Sequence, residues 1–451
     1  MLPPAVEPAV VWLIDPSEGD SWALTGAYDN LRWLALAEHL AGSGFDVVSL
    51  DRGPLDVPPE PRAVVVNGLN RTAPQAMDLI HQARARFPLT PIYVTGRAGY
   101  EIAGTAVDYA VQHASEDQLA VGLGPDGRLH GLRPSMHWWR AMTPTRPGGP
   151  KLPLGVLEVE ATRGCTHHCT FCSVFVSTGR PGRAWQPRPP ADIATEIAHW
   201  HAENGVDRVQ FVDDNFLGSP TDAPRWADEL ATELLWRSPE ISFSIYARLD
   251  TTLLKSLTSL RAAGLVQVHA GIESASNAVL RRLAKGVTIE EMDRVKDALT
   301  ALGVELVPSF IVFEARSTPK EVLTTLDWIE GNNLLAWFTP STALLFAGTP
   351  LTRQLATDTG PQFLSPDGAI APVRVPFTNP IVAEAYRVAV DLDADTDRSR
   401  VPDLDAMMRQ RMVRDGDLFC RPIGSDPLLA DLERYRRAQV ARVRQILEAA
   451  R

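Results

Sequence analysis

One tight loop, within ATRGCTHHCTFCSVF (161–175), holds three of the four cysteines of the chain: Cys165, Cys169 and Cys172. Their spacing, C-x3-C-x2-C, suits thiolate ligands of a metal centre. A structural zinc site would add His167 or His168, but such sites usually draw their ligands from two separated short pairs. Three ligands in one loop suit a [4Fe–4S] cubane, in which thiolates hold three irons and the fourth stays open. The spacing therefore favours iron–sulfur over zinc, and the two histidines are then ordinary loop residues.

The composition is that of an acidic globular protein. Hydrophobic residues make up 45% and charged residues 22% of 451 residues, with a formal net charge of -11. This length allows about three domains, and the acidic balance argues against a nucleic-acid partner. Four cysteines, three of them clustered, indicate a reducing compartment rather than a disulfide framework. The N-terminus lacks a basic segment, and no apolar run approaches the ~20 residues of a membrane span. We expect a soluble, cytoplasmic protein.

The first part of the chain, residues 1–142, alternates short apolar runs with amphipathic stretches. Strands are predicted at 9–14, 46–50, 63–67, 91–95 and 107–112, and helices at 28–44 and 73–87. This rhythm predicts an α/β, doubly wound parallel sheet. Such sheets bind ligands in loops at the carboxyl ends of their strands, here 15–26, 67–72 and 95–99. GLGPDG (122–127) satisfies G-x-G-x-x-G, but we interpret it as a turn because no strand-to-helix context follows.

A Pro/Gly-rich linker, 143–153, precedes a second run of βα units over 154–351. Strands are predicted at 155–160, 208–214, 241–247, 265–271, 304–313 and 341–346, and helices at 189–204, 222–237, 251–263, 275–302 and 319–331. Six units predict a partial (β/α)6 barrel with its chemistry at the carboxyl ends of the strands. Residues 352–451 are loop-rich and end in an amphipathic helix, which predicts a mostly helical C-terminal region that caps the substrate.

The cysteine loop follows the first of these strands, and Phe171 precedes its last cysteine. The segment resembles the radical S-adenosylmethionine (SAM) superfamily, with its C-x3-C-x-aromatic-C signature. Further segments resemble later strands of that family: RVQFVDDNFL (208–217), SIYARLD (244–250), HAGIESAS (269–276) and LLFAGTPL (344–351). SFIVFEARST (309–318) departs from the family's glycine-rich fifth strand. The resemblance implies a [4Fe–4S] cluster on the three cysteines and SAM beside Phe171, Phe175, Arg248 and Ser309. For Arg248, an ion pair with Asp213 or Asp214 is the alternative.

The N-terminal domain resembles the cobalamin-binding domain of cobalamin-dependent radical SAM enzymes. PIYVTGRAGYEIAG (91–104) follows that layout, but the D-x-H-x-x-G motif that supplies a histidine to cobalt is absent after Asp15. The resemblance implies cobalamin contacts from seven residues: Asp15, Asn67, Leu69, Asn70, Arg71, Thr95 and Gly96. No histidine of the 15–26 loop would then reach the cobalt, and a weak lower ligand suits a cobalt that alternates between reduced and methylated states.

The whole chain resembles most closely the tryptophan 2-C-methyltransferases of thiopeptide antibiotic biosynthesis. This implies methyl transfer from SAM, through methylcobalamin, to C2 of L-tryptophan, with an external reductant as partner. Only Cys420 remains outside the loop, which argues against a methylthiotransferase with a second cluster. Radical methylation of an sp³ carbon, a non-methylating cobalamin enzyme and a zinc-stabilised binding protein remain as alternatives.

Glu273 ends the fourth predicted barrel strand, two residues past Gly271. The family resemblance implies that its carboxylate contacts SAM. A second interpretation makes Glu273 a ligand of the open iron, where a hard oxygen donor would block chelation and cleavage of SAM. Both roles place a catalytic carboxylate at this strand end, and the sequence leaves both open.

Overall fold

The computed structural model describes residues 10–15, 46–51, 61, 63–67, 73–95, 109–110, 157–172, 174, 185–205, 207–345, 349–359, 375–394 and 427–449. Within this part of the chain, the residues up to 110 and those from 157 onward form two compact units. The predicted linker 143–153 lies outside the described residues. None of the described helices is long and apolar enough to span a membrane.

The N-terminal unit contains a five-stranded parallel sheet. Its elements are β1 (Val10–Asp15), β2 (Asp46–Asp51), β3 (Ala63–Asn67), α1 (Ala73–Arg86), β4 (Ile92–Thr95) and β5 (Tyr109–Ala110). The strand order is β2-β1-β3-β4-β5, the flavodoxin-like order of doubly wound sheets. The strand order reverses between β1 and β3, so the predicted ligand loops 15–26 and 67–72 begin on either side of this switch point. The predicted helix 28–44 lies outside the described residues.

The second unit repeats strand and helix along the chain. Its elements are β6 (Leu157–Val159), β7 (Thr162–Arg163), β8 (Gln186–Pro187), α2 (Pro190–Asn204), β9 (Arg208–Phe211), α3 (Ala223–Arg237), β10 (Ser242–Tyr246), α4 (Thr251–Ala262), β11 (Leu265–Glu273), α5 (Asn277–Arg282), α6 (Ile289–Ala301), β12 (Glu305–Phe310), α7 (Pro319–Gly331), a 3₁₀ turn (Leu335–Trp337), α8 (Pro350–Thr359), α9 (Pro380–Ala394) and α10 (Pro427–Glu448). Five strands form one parallel sheet in the order β6-β9-β10-β11-β12, and β7 pairs with β8 in a short antiparallel ladder.

The five-stranded sheet has one apolar face and one polar face. Because neighbouring strands follow one another along the chain, right-handed crossovers put the intervening helices on a single face. That face is fully apolar, with Phe211, Phe243 and Val268 buried against the helices. The C-terminal helices share this core, since α9 contributes Ala385 and α10 contributes Val443. A capping role for residues 352–451 stays a prediction.

The predicted sixth strand, 341–346, is wrong for its described residues, because 341–345 pair with no strand of the sheet. Ser341 alone is held beside the end of β12, where its carbonyl accepts from the amide of Phe313 at 3.0 Å. Ala343 and Leu345 then bury their side chains in a separate apolar cluster with α8. The alternating apolar residues of this segment therefore pack beside the sheet and do not form a further strand.

The predicted helix 275–302 is two helices, α5 and α6, separated by residues 283–288. The chain enters the left-handed region twice in this break, at Ala284 (φ 49°) and Gly286 (φ 69°). Asn277 bridges the break, since its Oδ1 accepts from the amide of Ile289 at 2.9 Å. The interruption leaves backbone carbonyls at the carboxyl edge of the sheet without helical partners.

Candidate active site

The cysteine loop lies across the carboxyl edge of the sheet, held by backbone hydrogen bonds from three directions. The amide and hydroxyl of Thr166 donate to the carbonyl of Gly218, after β9, at 3.0 and 2.8 Å. The amide of Thr170 donates to the carbonyl of Leu283, in the α5–α6 break, at 2.9 Å. The amide of Leu351, in α8, donates to the carbonyl of Thr170 at 2.9 Å. Three connections therefore fix the loop where barrel chemistry takes place.

The thiol groups are partly or fully withdrawn from water. Cys169 is buried, and Cys165 and Cys172 are half-buried. Burial raises the pKa of Cys165, and it raises the pKa of Cys172 to about 11. Thiolates in such surroundings need a compensating positive charge, and iron supplies it because a coordinating thiol is deprotonated outright. The loop therefore fits a metal centre better than free thiols.

Single-ion zinc ligation finds no support in the geometry. Among the described residues, no three His, Cys, Asp or Glu side chains converge to hold one metal ion. His167 is directed toward Asp250, with 3.8 Å between Nε2 and Oδ2. Burial and the nearby Arg248 lower the pKa of His167 to about 4, so its ring is neutral at pH 7. A cubane places its three thiolates on three different irons, so it does not require convergence on one point.

Two side chains donate hydrogen bonds to the cysteine sulfurs. Asn215 directs Nδ2 at the Sγ of Cys165, and Arg248 directs Nη1 at the Sγ of Cys169, each over 3.5 Å. Hydrogen bonds to cluster sulfurs are one of the levers by which proteins set a cluster's reduction potential. These donors fit a cluster that must accept an electron.

Arg248 is fixed on three sides and only 8% exposed. Nε donates to Oδ2 of Asp250 at 3.2 Å, and Nη2 donates to the carbonyl of Lys285 in the α5–α6 break. The alternative of an ion pair with Asp213 or Asp214 is therefore corrected to Asp250. Asp250 also caps α4, because its Oδ1 accepts from the amide of Thr252 at 2.9 Å.

Asp213 instead accepts hydrogen bonds from the backbone just before the cysteine loop. Its Oδ1 accepts from the backbone amides of Ala161 and Thr162 at 2.8 and 2.5 Å. Burial raises the pKa of Asp213 well above its usual range, although the two amides act in the opposite direction. The carboxyl group thus links the end of β9 to the strand end that carries the loop.

Glu273 and Lys285 form a buried ion pair at the end of β11. Nζ of Lys285 donates to Oε1 of Glu273 at 2.9 Å. Lys285 is 5% exposed and Glu273 is 7% exposed. The carboxylate folds back over Gly271. If Gly271 were replaced by any other residue, its Cβ would collide with Oε1 of Glu273. The backbone of Glu273 is left-handed (φ 65°), a conformation that non-glycine residues rarely adopt outside functional or strained positions.

Phe171 and Ser309, two of the predicted SAM contacts, lie in the cysteine loop and on β12. The ring of Phe171 packs against an apolar cluster that includes Leu283 and Leu351. Ser309 is exposed beside Gly271 in the ladder. Contact of these two with SAM stays a prediction. Asp15, Asn67 and Thr95 end strands β1, β3 and β4. Five predicted residues lie outside the described part: Leu69, Asn70, Arg71, Gly96 and Phe175.

Sequence reasoning missed three residues that organise the site: Asn215, Asp250 and Lys285. Asp250 carried a local signal, because an aspartate immediately before an apolar periodic segment marks a helix N-cap. Asn215 follows two carboxylates at a strand end, where a further polar side chain suggests a site. Lys285 carried no such signal, since its partner lies 12 residues earlier in the chain.

Residues 159–329 match the family described as the Radical SAM superfamily. An uncharacterized methyltransferase of Pyrococcus horikoshii is 30% identical over 176 residues, which cover 39% of this chain and 36% of that protein. The chain thus spans about a third of the length of this curated relative.

Two solved structures resemble the whole chain. The apo form of OxsB, a cobalamin-dependent S-adenosylmethionine radical enzyme, superposes with a TM-score of 0.69 at 15% identity, covering 96% of this chain and 71% of that one. TsrM of Kitasatospora setae, a radical S-adenosylmethionine methyltransferase with cobalamin and a [4Fe–4S] cluster bound, gives a TM-score of 0.58 at 16% identity, covering 98% and 100%. The fold is thus that of such enzymes. Family and fold together support the three predicted cofactors: a [4Fe–4S] cluster, SAM and cobalamin.

Proposed function

We propose that this protein is a cobalamin- and [4Fe–4S]-dependent methyltransferase that moves the methyl group of SAM to C2 of L-tryptophan. The observation that carries the proposal is the likeness to TsrM over the full length of both chains, together with the anchored cysteine loop. At 16% identity that likeness concerns the fold. The substrate therefore rests on the sequence resemblance.

The net reaction exchanges one substituent at carbon. The sulfonium methyl of SAM replaces the hydrogen at C2, and the products are S-adenosylhomocysteine, 2-methyltryptophan and a proton. When bound, the corrin supplies a nucleophile for the methyl group, and an external reductant maintains it. The protein side chains supply position: three cysteines hold the cluster, and Arg248 and Asn215 hold two of the sulfurs.

Glu273 is the carboxylate that we assign to the open iron or to SAM. Lys285 binds Oε1, so Oε2 is the oxygen that would reach either group. Ligation of iron would suit a polar methyl transfer, because such a transfer has no need for cleavage of SAM at the cluster. The ion pair supports both roles, since it holds the carboxylate at the strand end beside the cysteine loop.

The direct test is anaerobic reconstitution of the full chain with iron, sulfide and cobalamin, followed by incubation with SAM, L-tryptophan and a reductant. We expect 2-methyltryptophan and S-adenosylhomocysteine in equal amounts, and neither product from a Cys172→Ala variant. Methylation of other acceptors with tryptophan untouched would overturn the substrate assignment but leave the methyltransferase assignment intact.

A second candidate is a radical reaction of a cobalamin-dependent enzyme, supported by the likeness in fold to OxsB, a cobalamin-dependent S-adenosylmethionine radical enzyme, over 96% of this chain. The same incubation separates the two candidates. A radical reaction yields 5′-deoxyadenosine, whereas methyl transfer to a nucleophilic carbon yields S-adenosylhomocysteine without it. Equal formation of both nucleosides with methylated product would instead indicate radical methylation of an sp³ carbon.

A further inference from the structure

The ion pair between Glu273 and Lys285 joins two irregular stretches of backbone. β11 shifts its register against β12 between Gly271 and Glu273, and Glu273 takes a left-handed conformation (φ 65°). Lys285 lies between two further left-handed residues, Ala284 (φ 49°) and Gly286 (φ 69°). Non-glycine residues adopt this conformation at a cost, and such positions cluster at functional sites. A register shift re-aims a side chain, and here both irregular stretches direct a charged group to the same point.

The Glu273 carboxylate depends on Lys285 for its counter-charge. Nζ of Lys285 donates to Oε1 of Glu273 at 2.9 Å, and both side chains are buried. Gly271 leaves room for the pair, since an added Cβ would collide with Oε1 and lie 3.2 Å from Nζ. Among the described residues, Lys285 is the one hydrogen-bond donor to this carboxylate. A buried carboxylate that loses its cation is strongly unfavourable.

Asp250, a second buried carboxylate beside the loop, is compensated in a different way. Its Oδ2 accepts from Nε of Arg248 at 3.2 Å, and its Oδ1 accepts from the amide of Thr252 at 2.9 Å. The N-terminus of α4 therefore shares the charge of Asp250 with Arg248. Within the described part of the chain, no helix end donates to Glu273. The charge of Glu273 is therefore balanced by Lys285 alone in that part.

The charge of Lys285 lies within reach of the cysteine loop. The carbonyl of Lys285 accepts from Nη2 of Arg248, whose Nη1 lies 3.5 Å from the Sγ of Cys169. Burial lowers the pKa of His167, a residue of the loop, to about 4, and Arg248 and Lys285 act in the same direction. At an effective dielectric constant of ~20, a unit charge ~10 Å away still changes an equilibrium on the order of tenfold. The ion pair therefore bears on a cluster held by the loop.

We propose that Lys285 is a positioning residue of the metal centre: it holds the Glu273 carboxylate at the cysteine loop and cancels its charge there, so that the cluster can be reduced beside a carboxylate. This inference rests on the proposed function, since it takes the loop to hold a [4Fe–4S] cluster. It applies whether Glu273 ligates the open iron or contacts SAM, because either role places the carboxylate beside the cluster.

The role of the ion pair in reduction is electrostatic. The external reductant supplies one electron to the cluster, and the ion pair takes part in that transfer only through its charge. A carboxylate beside the cluster opposes the uptake of an electron, and a cation bound to that carboxylate removes the opposition. Loss of the ammonium alone should therefore lower the midpoint potential, and loss of both charges together should not.

The test is a redox titration of the anaerobically reconstituted full chain, followed by electron paramagnetic resonance of the reduced cluster. Lys285→Met keeps most of the side-chain length and the backbone carbonyl but leaves the carboxylate uncompensated. At the potential where the wild type is half reduced, the ratio of reduced to oxidised cluster should fall about tenfold, which equals a shift of ~59 mV. The double variant Lys285→Met/Glu273→Gln should return to within about twofold of the wild-type ratio, because the net charge of the pair is again zero.

Two further variants serve as controls. Lys285→Arg keeps the charge and should stay within about twofold of the wild-type ratio. Lys255→Met, at an exposed position of α4, is the matched control and should equal the wild type. If Lys285→Met does not retain iron, Lys285→Gln, which keeps a hydrogen-bond donor without the charge, should show the same fall.

An unchanged midpoint potential in a neutral Lys285 variant that retains its cluster overturns this inference and leaves the proposed function standing. A double variant with the full fall of Lys285→Met also overturns it, because Glu273 is then not the charge that Lys285 cancels. Loss of iron from the double variant and from both neutral single variants would show a structural role and overturn it likewise. A wild type that holds no cluster after reconstitution overturns both this inference and the proposed function.

Discussion

Replacing Arg248 by methionine tests what this side chain contributes to the metal centre. The guanidinium is buried, and its Nη1 lies 3.5 Å from the Sγ of Cys169. Methionine keeps much of the volume but removes the donor and the positive charge. Asp250 should remain satisfied, because its other oxygen caps α4 through the amide of Thr252. The main change is therefore electrostatic, and the reduced cluster, which carries one more negative charge, should lose stabilisation.

The size of the expected change in the midpoint potential follows from the distances around Arg248. Two unit charges 3.5 Å apart interact by ~4.7 kcal/mol at an effective dielectric constant of ~20. The added electron is spread over the whole cluster, and Asp250, 3.2 Å from Nε, offsets part of the guanidinium charge. If Arg248 then stabilises the reduced cluster by ~1.4 kcal/mol more than the oxidised cluster, its loss shifts the midpoint potential of this one-electron couple by ~59 mV. We expect the midpoint potential to fall by about this amount.

The assay is a redox titration of the reconstituted full chain, followed by electron paramagnetic resonance of the reduced cluster. Arg248→Met should be about one-tenth reduced at the potential where the wild type is half reduced. Arg248→Lys, which keeps the charge, should recover part of the shift, and Arg225→Met, at an exposed position of α3, should match the wild type. A midpoint potential unchanged within roughly 20 mV, together with a tenfold loss of SAM affinity, would show instead that Arg248 contacts SAM.

Three further predictions concern the loop, the carboxylate and the strand end. Cys172→Ala should lose iron and sulfide on anaerobic reconstitution, whereas Cys420→Ala should keep the full load; equal damage from both changes would contradict the ligand assignment. Glu273→Ala in the reduced enzyme should begin to cleave SAM to 5′-deoxyadenosine if the carboxylate blocks the open iron, and an isolated loss of SAM affinity would identify a SAM contact. Burial raises the pKa of Asp213, so the folded protein binds this proton more tightly than the unfolded chain. The free energy of unfolding should therefore fall as pH rises from ~4 through the raised pKa. Asp213→Asn, whose amide oxygen still accepts both backbone amides, should remove that fall in denaturant titrations, and a pH dependence like that of the wild type would refute this origin.

Many of the described strands and helices could be predicted because their signals are local. Helix α7 was predicted at 319–331 and observed at Pro319–Gly331. Its start is encoded within four residues: Thr318 accepts from the amide of Glu321, and Glu321 reaches back to the amide of Thr318. Such a capping box needs no tertiary contact to be recognised. The apolar run of 341–346 had a strand's pattern as well, but its outcome depended on whether the sheet offered it a partner.

The sequence by itself determined the cysteine loop and predicted its use as a metal site, because three thiols in eight residues leave few other chemical uses. Only the tertiary structure decided what surrounds those thiolates. Arg248 meets Cys169 across 79 residues, and Glu273 pairs with Lys285 only because the helix breaks after Arg282. A hydrogen bond between distant residues depends on where packing brings two strand ends together. Local propensity does not predict which distant residues meet in space, so the charged side chains beside the cysteines could be identified only from the fold.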